Sequence, residues 1–322
     1  MKPWQVKLVL IGVLLAVFIL SISYGAVRLS LKDLSEVLLG QGDPINTQIV
    51  WNIRLPRVIV SLLVGMALAL AGCILQAIMR NPLATPNIIG VSSGAGLFAL
   101  GILILFPQLY HFVPLGAFVG ALLATLFIYS LAWKGGIVTY RLVLAGVAVS
   151  SILSAGNNIL LSLYPDRVSG VIGFMIGGLS GANWRHVSMI YGYILIAILV
   201  TLLFREQLNL LALGDEVAIG LGVSIERLRR LFIVLSSILA GAAVSAVGLL
   251  GFVGLIVPHM ARFFVGSDYR QMVPVTILLG GIVLMLADLI SRVVFSPMEI
   301  PVGIVMSLLG GPFFLSLLRR RI

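Results

Sequence analysis

Ten stretches, each about as long as a bilayer's hydrocarbon core is thick, divide this chain and decide what it can fold into. They run roughly over residues 6–25, 57–78, 89–106, 114–133, 141–161, 187–204, 230–249, 252–266, 273–291 and 301–318. About 20 mostly apolar residues in a helix cross that core. The eighth stretch is short and carries Pro258. No single soluble core hides this much apolar surface. Only 10% of the 322 residues are charged and 60% are hydrophobic, where soluble domains carry about 25% charge. The expectation is an all-α integral membrane protein, read as one domain over residues 1–322 with ten transmembrane helices and lipid as its main solvent.

Two segments admit a second reading. Lys2 and Lys7 precede the apolar run 8–22, a pattern that also describes a secretory signal. The run is long for that purpose and Ser21-Ile22-Ser23 is only a fair cleavage site, so a retained first span is expected. The stretch 168–182 is apolar but glycine-rich, bounded by Asp166 and Arg185. It is expected as a helix lying at, or dipping into, the outer surface, and not as an eleventh span.

Ten spans put both termini on one side. With the N-terminus in the cytoplasm, that side collects Lys2, Lys7, Arg80, Lys134, Arg141, Arg205, Arg227, Arg229, Arg230, Arg262, Arg270, Arg319, Arg320 and Arg321, which is 14 of the 21 basic residues. Cytoplasmic loops are enriched in Lys and Arg, so this orientation follows. The same bias accounts for the net charge of +10 without nucleic acid, whose binders gather basic residues on one face. The lone cysteine, Cys73, allows no intramolecular disulfide and reads as a small packing residue. Gly116 with Gly120, and Gly177 with Gly181, have the four-residue spacing that lets helix backbones approach closely in lipid.

Two loops exceed what a connection needs. In the outer loop, Ser30 and Asp33 form a helix-starting pattern, followed by Leu31, Leu34, Val37 and Leu38 at helical spacing before Gly40. A short amphipathic helix is expected there. In the longest inner loop, 205–230, Asp215 and Glu216 suit a helix start, Gly220 and Gly222 its end, and Ser224 the cap of a helix leading into the seventh span. Two short inner helices that mix apolar, small and charged residues suggest a docking surface for something cytoplasmic.

Several chemistries lack their residues. There is no G-x-x-x-x-G-K-[ST] phosphate cradle, so no ATPase site is visible. His111, His186 and His259 lack metal-ligand spacing, and no hydrolase or metalloprotease motif occurs. No catalytic residue, metal site or cofactor is therefore assigned. His259, after Pro258, reads as a packing residue. An ion-coupled secondary transporter would place titratable groups within its spans. Here these are nearly limited to Asp288, with Arg262 near a helix end, and Asp288 lies one helical turn before Arg292, where a local ion pair is expected. Trp51 and Trp184, near span ends, read as interface anchors.

The motifs then converge. Arg54-Leu55-Pro56-Arg57 opens the second span, which closes on Gln76 and Asn81-Pro82-Leu83-Ala84-Thr85-Pro86, followed by Gly90-Val91-Ser92-Ser93-Gly94-Ala95. Later come Gly251-Phe252-Val253-Gly254-Leu255-Ile256-Val257-Pro258-His259, Ala287-Asp288, Arg292 and Glu299-Ile300-Pro301-Val302-Gly303. Over nearly its whole length the chain resembles the permeases of ATP-binding-cassette importers for iron–siderophores, haem and cobalamin.

The resemblance implies a multi-pass subunit of the bacterial cell membrane that pairs with a second copy or a paralogue, the path lying between them. It implies cytoplasmic ATPase subunits beneath and an extracytoplasmic binding protein above, delivering a ferric siderophore, with haem or cobalamin as alternatives. It further implies that Arg54, Arg57 and Arg292 accept acidic residues of the binding protein, although long basic side chains also anchor spans at head groups. ATPase coupling falls, by the same resemblance, on Leu213, Gly214, Asp215, Glu216, Ala218, Gly220, Leu221 and Gly222.

Overall fold

The computed structural model describes residues 2–25, 27–133, 139–214, 224–294, 296 and 298–319. Every apolar stretch has become a helix. In chain order the helices are α1 (Pro3–Ser23), α2 (Leu31–Leu38), α3 (Pro44–Gln48), α4 (Leu55–Ile78), α5 (Val91–Leu105), α6 (Val113–Ala132), α7 (Thr139–Leu163), α8 (Val168–Ile176), α9 (Trp184–Leu203), α10 (Arg205–Leu213), α11 (Ile225–Val247), α12 (Val253–Val265), α13 (Tyr269–Val293) and α14 (Val302–Arg319). Among the described residues, seven helical segments are long and apolar enough to cross a membrane, and α5, α12 and α14 are shorter apolar helices. The chain is thus an all-helical, multi-pass membrane protein.

α4 forms the centre. It is apolar on all sides, and 20 of its 24 residues are buried, as expected for a helix enclosed by others. α9, α11, α12 and α13 pack around it. Small residues set those distances. A Cβ on Gly65 would collide with the Gly280 carbonyl of α13, and one on Gly72 with the Gly254 carbonyl of α12. In lipid such close backbone packing replaces the hydrophobic drive. Cys73 is fully buried here, a packing residue as read.

The glycine pairs divide. Gly120 lies against the Gly94 backbone of α5, and Gly116 against Ile102. Gly177 instead ends α8 with φ +79°, and a Cβ on Gly181 would meet nothing within 4 Å. That pair serves a turn, and helix packing is not its role. Spacing alone does not distinguish a helix face from the residues just past a helix end.

Between α11 and α12 the chain is not helical. Gly248 and Phe252 take φ of +77° and +65°. Backbone groups here are paired with the end of α8 and the residues that follow it, as an apolar setting requires. Leu249 N–H donates to Phe174 O at 2.9 Å, Gly178 N–H to Val247 O at 2.9 Å, and Gly303 N–H to Gly177 O at 3.1 Å.

The anticipated α2 is present with its capping box. Asp33 N–H donates to Ser30 Oγ at 3.1 Å, and Ser30 N–H to Asp33 Oδ2 at 2.8 Å. Ser30 Oγ–H also donates to Asp33 Oδ2 at 2.7 Å, and this bond, with the Ser30 N–H second, holds the Asp33 carboxyl below its ordinary pKa. α8 likewise forms within the stretch read as a surface helix. In the inner loop α10 covers Arg205–Leu213, while the helix start read at Asp215 and Glu216 and its end at Gly220 and Gly222 lie outside the described residues. Ser224 does sit at the start of α11, but its side chain makes no cap bond.

Candidate functional site

Two clusters lie at opposite ends of α13, a helix of 25 residues, about 37 Å long at 1.5 Å per residue. The first gathers Arg54, Arg57 and Arg292, which are 5%, 6% and 4% exposed. Arg57 and Arg292 are joined by Asp288, itself 1% exposed. Arg57 Nη2 lies 2.9 Å from Asp288 Oδ1, and Arg292 Nε 3.1 Å from Asp288 Oδ2. The ion pair read from the four-residue spacing is present, and it has a second arginine. Arg57 Nη1 also reaches Glu299 Oε2 at 2.8 Å, from the loop before α14.

Arg54 and Arg292 turn to the end of α1. Arg54 donates to the carbonyls of Ile22 (2.6 Å), Ser23 (2.9 Å) and Val27. Arg292 donates to Tyr24 O and Ser21 O, both at 3.1 Å. The last carbonyls of a helix lack partners and carry its negative dipole end, so cations are favoured there. The two arginines thereby hold α1 to α4 and α13. All three are occupied by this chain, and Glu299, with 38% of its side chain exposed, is the most accessible carboxylate in the network. On the same end, Trp184 Nε1–H donates to Trp51 O at 2.8 Å.

The second cluster involves the segment read as ATPase-coupling. Leu213 closes α10 and is 63% exposed. Gly214 follows with φ +113°, a conformation natural only for glycine. A Cβ there would lie 3.0 Å from Arg80 Nη1 at the end of α4. Asp215, Glu216, Ala218, Gly220, Leu221 and Gly222 lie outside the described residues. α10 is seated by buried Leu208 and Leu211 and is bonded to the start of α13. Asn209 Nδ2–H donates to Asp268 Oδ1 at 2.8 Å, and Tyr269 N–H donates to Asn209 Oδ1 at 2.9 Å. Asp268 also accepts from Arg270 N–H at 3.0 Å, and Arg270 pairs with Glu206 at 3.2 Å. These bonds hold the Asp268 carboxyl below its usual value, the Arg270 N–H first. Sequence reading missed this cluster, because Asn209 and Asp268 belong to no motif and are 59 residues apart.

A third feature is α7. Its apolar window is the least enclosed of the seven long segments, 17% buried. Ser151, Ala155, Asn158 and Ser162 form an exposed stripe at helical spacing. Beside it a groove of ≈ 320 Å³ is lined by Asn87, Ile88, Gly146, Val147, Ser150, Ser151 and Ser154. Among the described residues, no three His, Cys, Asp or Glu side chains are grouped to hold a metal ion. His259 packs edge-on against Phe263 and Phe313, with ring centroids 5.9 and 5.8 Å away.

The fold is that of a multi-helix membrane protein with its ion-pair clusters near the helix ends. The chain belongs to the FecCD transport family, whose model matches residues 13–320, and is accordingly a transmembrane permease component of an ABC importer. It is 36% identical to the Fe(3+)-citrate import system permease protein YfmE of Bacillus subtilis (strain 168), over 99% of this chain and 96% of that protein. It is 41% identical to the hemin transport system permease protein HmuU of Yersinia pestis, over 84% of each. A metal-chelate type ABC transporter in an inward-facing conformation superposes with TM-score 0.85 at 30% identity, covering 98% of this chain and 99% of the solved one.

Proposed function

We propose that this permease imports a ferric siderophore across a bacterial cell membrane, received from an extracytoplasmic binding protein and driven by separate ATPase subunits. The whole chain acts as one domain of ten spans, α1, α4–α7, α9 and α11–α14, with both termini cytoplasmic. α7 carries this reading. Its open face sets Asn158 and Ser162 among exposed Leu144, Val147, Ile152, Ile159 and Leu163, and polar side chains that face hydrocarbon are costly. That face suits a water-filled path shared with a second copy or a paralogue. Among the described residues the groove beside α7 is lined by no charged side chain, as fits a path that passes bulky chelates weakly and leaves selection to the binding protein.

The end of the bundle marked by Arg54, Arg57 and Arg292 faces outward in this topology and receives the binding protein. Arg57 is reached there by exchange of an incoming carboxylate for Glu299, while Arg54 and Arg292 keep α1 in place. Leu213, Gly214 and the following segment to Gly222 face the ATPase. The relatives' names support an iron chelate, with haem and cobalamin as alternatives. The test is reconstitution of the chain with its ATPase and binding protein in liposomes. We expect ATP-dependent uptake of a ferric siderophore in a panel that includes haem and cobalamin. Uptake driven by an ion gradient without ATP, or restricted to haem or cobalamin, overturns the reading.

A further inference from the structure

α10 and α13 are joined in a way that close packing alone does not require. Asn209 uses both ends of its amide on two consecutive residues, giving a hydrogen to Asp268 Oδ1 at 2.8 Å and taking one from Tyr269 N–H at 2.9 Å. The N–H groups of a helix's first turn have no partner within that helix. α13 therefore has one such group satisfied by its own Asp268, which caps Arg270 N–H, and another by a side chain of a different helix. Tyr269 is buried, 5% exposed. A hydrogen bond at this distance does not survive displacement by ~1 Å. If α10 shifts, either α13 follows or these bonds break.

α13 is constrained further along as well. At its middle Gly280 meets Gly65 of α4 backbone to backbone, and toward its far end Asp288 holds Arg57 and Arg292. Interdigitated packing of this kind moves as a unit and does not flex. A continuous set of rigid contacts thus runs from α10 to the arginine cluster.

We propose that Asn209 is the positioning residue that transmits movement of α10 to α13, and through α13 to the arginine cluster. This rests on the reading that α10 leads into the ATPase contact. Arg270–Glu206 is a lesser tie, because both side chains are more than half exposed and such pairs contribute little.

The experiment uses the chain assembled with its ATPase and binding protein in liposomes. In Asn209→Ala, uptake and binding-protein-stimulated ATP hydrolysis should fall several-fold, chiefly through loss of the part-buried bond from Tyr269 N–H, since the bond to Asp268 is solvent-exposed. Assembly and basal hydrolysis should stay near native. Asp268→Asn keeps an oxygen that accepts from both Asn209 and Arg270, and should retain uptake. In a chain carrying Asn209→Ala with Glu206→Cys and Arg270→Cys, a short bifunctional thiol reagent should restore uptake by re-joining the two helices; the natural Cys73 is buried. Normal uptake by Asn209→Ala overturns the proposal. So does failure of the cross-link to restore uptake, which remains decisive if the single variant assembles poorly. If the native chain does not associate with the ATPase at all, the ATPase-coupling reading falls and this proposal with it.

Discussion

Replacing Asp288 with asparagine removes the carboxylate that Arg57 and Arg292 share at 2.9 and 3.1 Å. The side chains involved are 1%, 8% and 4% exposed, so water does not compensate. Breaking a buried ion pair by deleting one member costs about 3–5 kcal/mol. Arg57 would still hold Glu299, and Arg292 the carbonyls of Ser21 and Tyr24. The loss therefore belongs at the lower end, about 3 kcal/mol, which corresponds to a melting point lower by roughly 6 °C for a large domain. Thermal unfolding of the detergent-purified chain measures it. The difference should persist in high salt, because buried charges are screened little. Glu299→Gln is the control: its side chain is 38% exposed, and partly solvated pairs are worth about 0–1 kcal/mol. If Asp288→Asn melts with the native chain, or Glu299→Gln costs more than Asp288→Asn, the network does not hold this end together.

Glu299→Gln should also strengthen binding-protein docking, measured by titration onto the reconstituted complex, since it releases Arg57 for an incoming carboxylate; unchanged or weaker docking counts against exchange at Arg57. Gly65→Ala should lower stability markedly, because its methyl meets the Gly280 backbone, whereas Gly101→Ala, with nothing within 4 Å, should be neutral or slightly stabilising as a better helix former; parallel melting curves decide. Asp268 has a depressed folded-state pKa. Its contribution is therefore complete above the unfolded value near 3.8 and is lost as pH falls through the lower folded value. Hydrogen exchange in α10 should rise only below that pH, and this pH dependence should vanish in Asp268→Asn.

Local pattern settled a large part of this protein. Apolar runs of membrane length gave every long helix, because a helix in lipid is specified by its own side chains and satisfies its own backbone. The Ser30–Asp33 box placed the start of α2 for the same reason: both partners lie within one turn. Asp288 with Arg292, four residues apart, was equally legible. Arg54, Arg57 and Arg292 were picked out by motif, and the fold brings them to one end of the bundle.

Their surroundings were decided by tertiary structure alone. The Arg57–Asp288 pair spans 231 residues, Arg57–Glu299 spans 242, and Arg54 reaches carbonyls of α1 more than 20 residues earlier. Asn209 meets Asp268 only because α10 seats Leu208 and Leu211 beside α4 and α13. Which helices meet depends on where two glycine surfaces fit, such as Gly65 with Gly280, and that fit is a property of the pair and of neither sequence segment alone. A charge's position along its helix is thus written in the sequence. Whether it is free at a surface or committed to a buried partner is determined when the helices pack.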